Sequence, residues 1–129
     1  MVKQKSDADV NQTTQRLTET LEAKGATVFK VVDHQAGAQS VDLELRSTTV
    51  VIFGNPKLGT PLMQCTQSVA IDLPQKMLIW EDADGQVWVG YNSPQYLNNR
   101  HQLTGCDSAL EKIDSALQSF AAAATGNAS

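Results

Sequence analysis

Two histidines, two cysteines and a glycine-bearing loop hold most of the reactive chemistry in this 129-residue chain. His34 and His101 lie far apart and in neither HxxxH nor HExxH spacing. A metal centre would need the fold to bring both to a carboxylate such as Asp33, Glu81 or Asp82. Cys65 and Cys106 belong to no CxxC pair and make no disulfide framework, so they read as packed, inert thiols. Cys106 and His101 supply the residue types of a nucleophile and its base, but no elbow or oxyanion signature accompanies them.

The stretch FGNPKLGTP, Phe53 to Pro61, has the two glycines of a phosphate loop at the right separation. Its chemistry is wrong for that role. Pro56 removes a backbone N–H, Thr60 stands where the phosphate-reaching Lys belongs, and Pro61 replaces the magnesium-binding hydroxyl. The same letters suit a strand-to-helix connector: Asn55-Pro56 and Gly59 as turns, Thr60 as N-cap and Pro61 as first helical residue. A helix start beside Lys57 is still suited to a carboxylate or other small anion. WEDADG, Trp80 to Gly85, clusters carboxylates without the spacing of a calcium loop. The candidate ligand-binding set is therefore Asp33, His34, Asn55 and Lys57 at strand ends, with Trp88 and His101. No catalytic or metal-ligating residue and no cofactor is assigned.

The elements that must position these residues follow from periodicity. A short strand over Val2–Lys5 precedes a helix capped by Ser6, Asp7 or Asp9, with Val10, Leu17 and Leu21 on its apolar side and Gly25 as its stop. Thr27 to His34 is rich in β-branched residues and reads as a strand. HQAGAQS makes a turn or a single helical turn, and Val41 to Leu45 alternates as a further strand. TTVVIF is continuously apolar, the pattern of a central strand covered on both faces. KMLIWEDADGQVWVGYN holds two alternating runs around Asp84-Gly85, the pair demanded by a two-residue type I′ hairpin. That register places Glu81 opposite Trp88, Trp80 opposite Val89 and Leu78 opposite Tyr91. Leu78, Trp80, Val87, Val89 and Tyr91 then share the core face, leaving Met77, Ile79, Glu81, Trp88 and Gly90 on a mixed one. Ser93-Pro94 opens a short helix. Ser108 and Glu111 have capping-box spacing ahead of a last helix with Leu110, Ile113, Leu117 and Phe120 facing inward.

The predicted architecture is α+β, a mainly antiparallel sheet with helices packed on one face. One domain spans 1–129 and frays from about residue 125. A formal charge of −4, with acids and bases mixed along the chain, offers no basic stripe for nucleic acid. No apolar run is long enough to span a membrane, and the N-terminus lacks the apolar heart of a signal peptide. A cytoplasmic protein without membrane partners is expected, with a removed leader left open.

AKGATVFKVVDHQAGA, LELRSTTVVIFGNPKLGTPLMQ and IDLPQKMLIWEDADGQVWVGYNSPQYLNNRH occur in series. Together they resemble the domain-of-unknown-function family numbered 302, with Asp33-His34, Gly54-Asn55-Pro56, Leu73-Pro74 and Trp80-Glu81-Asp82 as its markers. The resemblance implies a TATA-binding-protein-like β-α-β(4)-α order and a tendency to dimerise; it transfers no catalytic residue. The functional expectation is a non-enzymatic homodimeric module that binds a small-molecule or anionic ligand, or a partner, in a cleft between helices and sheet. The alternative is an enzyme or metal-dependent protein using His34, His101, Cys65 or Cys106 with nearby carboxylates.

Overall fold

The computed structural model describes residues 1–127. Its strands are β1 (Val2–Lys5), β2 (Thr27–Asp33), β3 (Thr48–Gly54), β4 (Gln75–Glu81) and β5 (Val87–Tyr91). Its helices are α1 (Val10–Ala23), α2 (His34–Gln39), α3 (Pro56–Cys65), α4 (Pro94–His101) and α5 (Asp107–Thr125), with a 3₁₀ helix at Gln67–Asp72. All strand pairs are antiparallel, in the order β1-β5-β4-β3-β2. The architecture is α+β, an antiparallel sheet with helices on one face, as expected from the order of the elements.

Helices α1 and α5 pack on each other and on one face of the sheet. Asp9 caps α1 by accepting from the Gln12 N–H, and Val10, Thr13, Leu17 and Leu21 recur at helical spacing on its buried side. Helix α5 buries Leu110, Ile113, Leu117, Phe120, Ala121 and Ala124 in the same way. Its N-cap is Cys106, without a side-chain hydrogen bond, so the Ser108–Glu111 capping box does not form.

The hairpin departs from its predicted register. Glu81 pairs with Val87, Trp80 with Trp88 and Leu78 with Gly90. The Asp82 N–H donates to the Gln86 carbonyl, so the loop has three residues, Ala83 to Gly85, and only Gly85 takes positive φ. A one-residue slip moves every side chain on one strand to the other face. Met77 and Ile79, not Leu78 and Trp80, therefore join Val87, Val89 and Tyr91 in the core.

Strand β3 is interior to the sheet but covered on one face only. Thr49, Val51 and Phe53 are buried, while Val50 and Ile52 lie half-buried on the face without helices. The segment Val41 to Leu45 forms no strand. Its alternating side chains have no sheet to pair with, and Val41, Leu43 and Leu45 are exposed.

Thr125 to Asn127 do not fray as expected. Thr125 is fully buried, its carbonyl accepts from the Asp7 N–H, and the Asn127 side-chain amide donates to the Lys5 carbonyl. Gly126 supplies the left-handed cap of α5. The last two positions of the expected tail, 128 and 129, lie outside the described residues.

Candidate functional site

The predicted site residues do not converge. Asp33 pairs with Thr49 and Thr27 with Gly54, so Asp33 and His34 sit at the opposite end of β3 from Asn55. At about 3.3 Å per residue the separation approaches 20 Å. Asp33 is occupied as the N-cap of α2, accepting from the Ala36 N–H, and His34 is exposed as its first residue. Trp88 lies two strands from β3 on the face without helices, and Lys57 is exposed on α3.

Asn55 takes the capping role predicted for Thr60. Its side-chain oxygen accepts from the Lys57 N–H at 3.0 Å, and Pro56 supplies the first helical residue with a preset φ and no N–H to waste. Gly59, Thr60 and Pro61 consequently lie inside α3. The loop is a helix start, displaced five residues toward the strand.

His101 on α4 hydrogen-bonds to Asp72 at the end of the 3₁₀ helix, and Arg100 reaches the same carboxylate at 3.3 Å and the Tyr96 hydroxyl at 3.2 Å. The hydrogen bond that it donates to the Tyr96 hydroxyl, and then the charge of Asp72, hold the Arg100 guanidinium above its ordinary pKa. A carboxylate behind an imidazole orients the ring. Here the pair joins two segments, and neither cysteine stands beside it as a free nucleophile. Cys65 and Cys106 are bonded to each other, 41 residues apart in sequence and 6.6 Å between Cα atoms. This corrects their reading as unpaired thiols. Spacing arguments address local motifs, whereas this bridge depends on α3 ending against the start of α5. The disulfide and the Asp72–His101 pair thus tie residues 65–72 twice to residues 101–106.

Asp82 governs the hairpin. One carboxylate oxygen accepts from the Asp84 and Gln86 N–H groups at 3.0 Å each, and the other accepts from the Trp88 indole N–H at 2.8 Å. The Trp88 hydrogen bond is the main reason its pKa lies below the usual value, working against partial desolvation.

The concave feature is elsewhere. A cavity of about 440 Å³ opens where the end of β3 meets α3, the 3₁₀–β4 connection and the middle of α5. Phe29, Phe53, Leu58, Met63, Leu73, Ile113, Leu117 and Phe120 contribute its apolar wall, with Phe53 and Phe120 in edge-to-face contact at 5.9 Å. Asn55, Thr60 and Gln75 are polar residues of its lining. The Gln75 amide nitrogen is buried without a hydrogen-bond partner. Of the predicted residues only Asn55 lines this cavity. Its wall comes from four segments distant in sequence, and each apolar residue in it looks like ordinary core when read locally.

The arrangement defines a class: a five-stranded antiparallel α+β sheet with helices on one face and an apolar cleft at one end. A family model described as a domain of unknown function, DUF302, matches residues 2–120. The chain belongs to that family. A solved structure of an uncharacterized conserved DUF302 protein from Bacillus stearothermophilus is similar to it, with a TM-score of 0.76 at 20% identity. That likeness covers 98% of this chain and 95% of the other, and it shows the shared fold.

Two relatives named fluoride-specific ion channel FluC 1 are each 42% identical over 103 residues. They come from Brucella suis biovar 1 (strain 1330) and Brucella abortus biovar 1 (strain 9-941). The match covers 80% of this chain but 41% and 38% of theirs, so the chain spans about two fifths of the curated relatives it matches. Among its described residues no helix is long and apolar enough to cross a membrane.

Proposed function

We propose that this chain is a binding module for a small, mainly apolar molecule carrying a hydrogen-bond acceptor, and that it acts as a homodimer without catalysing a reaction. The cavity is the observation that carries the reading. Its volume suits a small organic ligand, and its walls are apolar with a few polar groups, the usual makeup of such sites. Gln75 lines the cavity and its amide nitrogen is buried without a hydrogen-bond partner, so a side-chain turn that brought this donor to a ligand acceptor would recover the free energy that an unpaired donor costs. The name of the relatives suggests that modules of this kind are carried on longer chains beside a channel. Fluoride conduction is not part of the proposal for this chain.

The dimer reading rests on edge strand β2. It leaves Phe29 56% and Val31 41% exposed beside an unpaired row of backbone groups, a template for a second copy. The disulfide favours an oxidising compartment over the cytoplasm, where thiols are kept reduced.

The cavity is tested with a fluorescent apolar probe, 1-anilinonaphthalene-8-sulfonate, titrated into the folded protein and into Ala116→Phe. Ala116 lines the cavity from α5 and is half-buried, so the larger ring is expected to occupy the space and weaken binding at least tenfold. Equal binding by both proteins, with unchanged circular dichroism, overturns the reading.

A further inference from the structure

The helix-free face of the sheet takes no part in the cavity. Register places Val32, Val50, Ile52, Leu78, Trp80 and Trp88 on it, all half-buried. Trp80 and Trp88 stack with centroids 6.4 Å apart, and Gly90 admits the Trp80 ring, since an added Cβ would lie 3.0 Å from it. Both tryptophans of the chain are therefore on this one face.

Charge on the face is one-sided. Lys3 and Lys5 on β1, Lys30 on β2 and Lys76 on β4 share its parity and are exposed. The ammonium groups of Lys3 and Lys5 lie 4.8 and 5.6 Å from the Trp88 ring centroid. No carboxylate projects from the strands on that side; the nearest, Asp82, lies in the turn and is engaged by Trp88. In a chain of net charge −4 this is a marked segregation. A second copy docked symmetrically here would set lysine against lysine, so the face needs an anionic occupant.

We propose that this face docks on the surface of an anionic lipid bilayer. It is an array of five strands, with lysines around the margin and tryptophan and aliphatic groups at the centre. That arrangement suits a plane of headgroups over an apolar layer. An acidic peptide would be better held by a groove, and the apolar cavity described above lies elsewhere. The expectation of no membrane partner rested on the lack of a spanning segment, which a peripheral contact does not require. Screening over about 8 Å at physiological ionic strength lets the local lysines act despite the negative total.

The test is flotation of the full chain with vesicles of phosphatidylcholine containing 30% phosphatidylglycerol, read also by tryptophan emission. The expected result is binding at low salt, a blue shift from the two face tryptophans, and release at high salt. Each lysine contributes about fivefold at such a surface, so K3E/K5E/K30E/K76E is expected to bind at least a hundredfold more weakly while keeping its circular dichroism. Should that variant misfold, Lys3→Gln with Lys30→Gln serves in its place, with a loss of about twentyfold expected. Equal binding to pure phosphatidylcholine vesicles, or unaltered binding by folded lysine variants, overturns the proposal. So does retention on immobilised polyglutamate without any binding to vesicles, which would assign the face to an acidic protein.

Discussion

Reduction of the Cys65–Cys106 bond is expected to lower stability by about 4 kcal/mol, by the chain-entropy relation for a 41-residue separation at room temperature. Native domains have about 5–15 kcal/mol in total, so the effect is large. With a urea dependence of about 2 kcal/mol per molar, the unfolding midpoint should fall by about 2 M. The assay is urea unfolding followed by circular dichroism, with and without dithiothreitol. Reduction leaves both sulfurs in place and so isolates the cross-link from packing. Cys65→Ala provides the companion: Cys65 is exposed and Cys106 is buried, so this variant removes the bond without opening the core. Its midpoint should match that of the reduced protein and ignore reductant. Two titratable thiols in untreated, denatured protein, or a midpoint unmoved by reductant, would refute the reasoning.

Two further outcomes test the sheet. Ile79→Ala should cost about 2–5 kcal/mol, and Leu78→Ala about half as much, because Ile79 is fully buried and Leu78 lies half-buried on the open face; urea midpoints in the reverse order would support the two-residue hairpin register. Val31→Lys on edge strand β2 should convert a dimer to a monomer in light scattering while changing stability by less than about 0.5 kcal/mol, since an exposed site tolerates the charge and an edge lysine blocks pairing. A mass equal to one chain before substitution counts against the dimer.

The hairpin shows where local reading stops. Alternation around Asp84-Gly85 correctly marks two strands and a turn, but the core face depends on whether the loop holds two residues or three. Asp82 decides this by bonding the Asp84, Gln86 and Trp88 donors together, and one residue of difference exchanges Leu78 and Trp80 for Met77 and Ile79. The connector after β3 behaves alike. Asn55-Pro56 and Thr60-Pro61 are both valid helix starts, and the helix takes the earlier one, carrying Pro61 inside. The candidate residues Asp33, His34, Asn55, Lys57, Trp88 and His101 carry the right chemistry for a ligand, but strand register disperses them.

The sequence by itself determined the α+β class, the helical faces of α1 and α5, the extended character of β1, β2 and β3, and family membership. Each of these is written in residues within a turn or two of one another, where side-chain spacing and backbone preference act directly. Tertiary structure alone decided which sheet face the helices cover, that Cys65 meets Cys106, that Thr125 is buried against the N-terminal segment, and that four separate stretches enclose a cavity. Those outcomes require segments tens of residues apart to pack together, and the free energy that selects among them resides in contacts that no local period encodes.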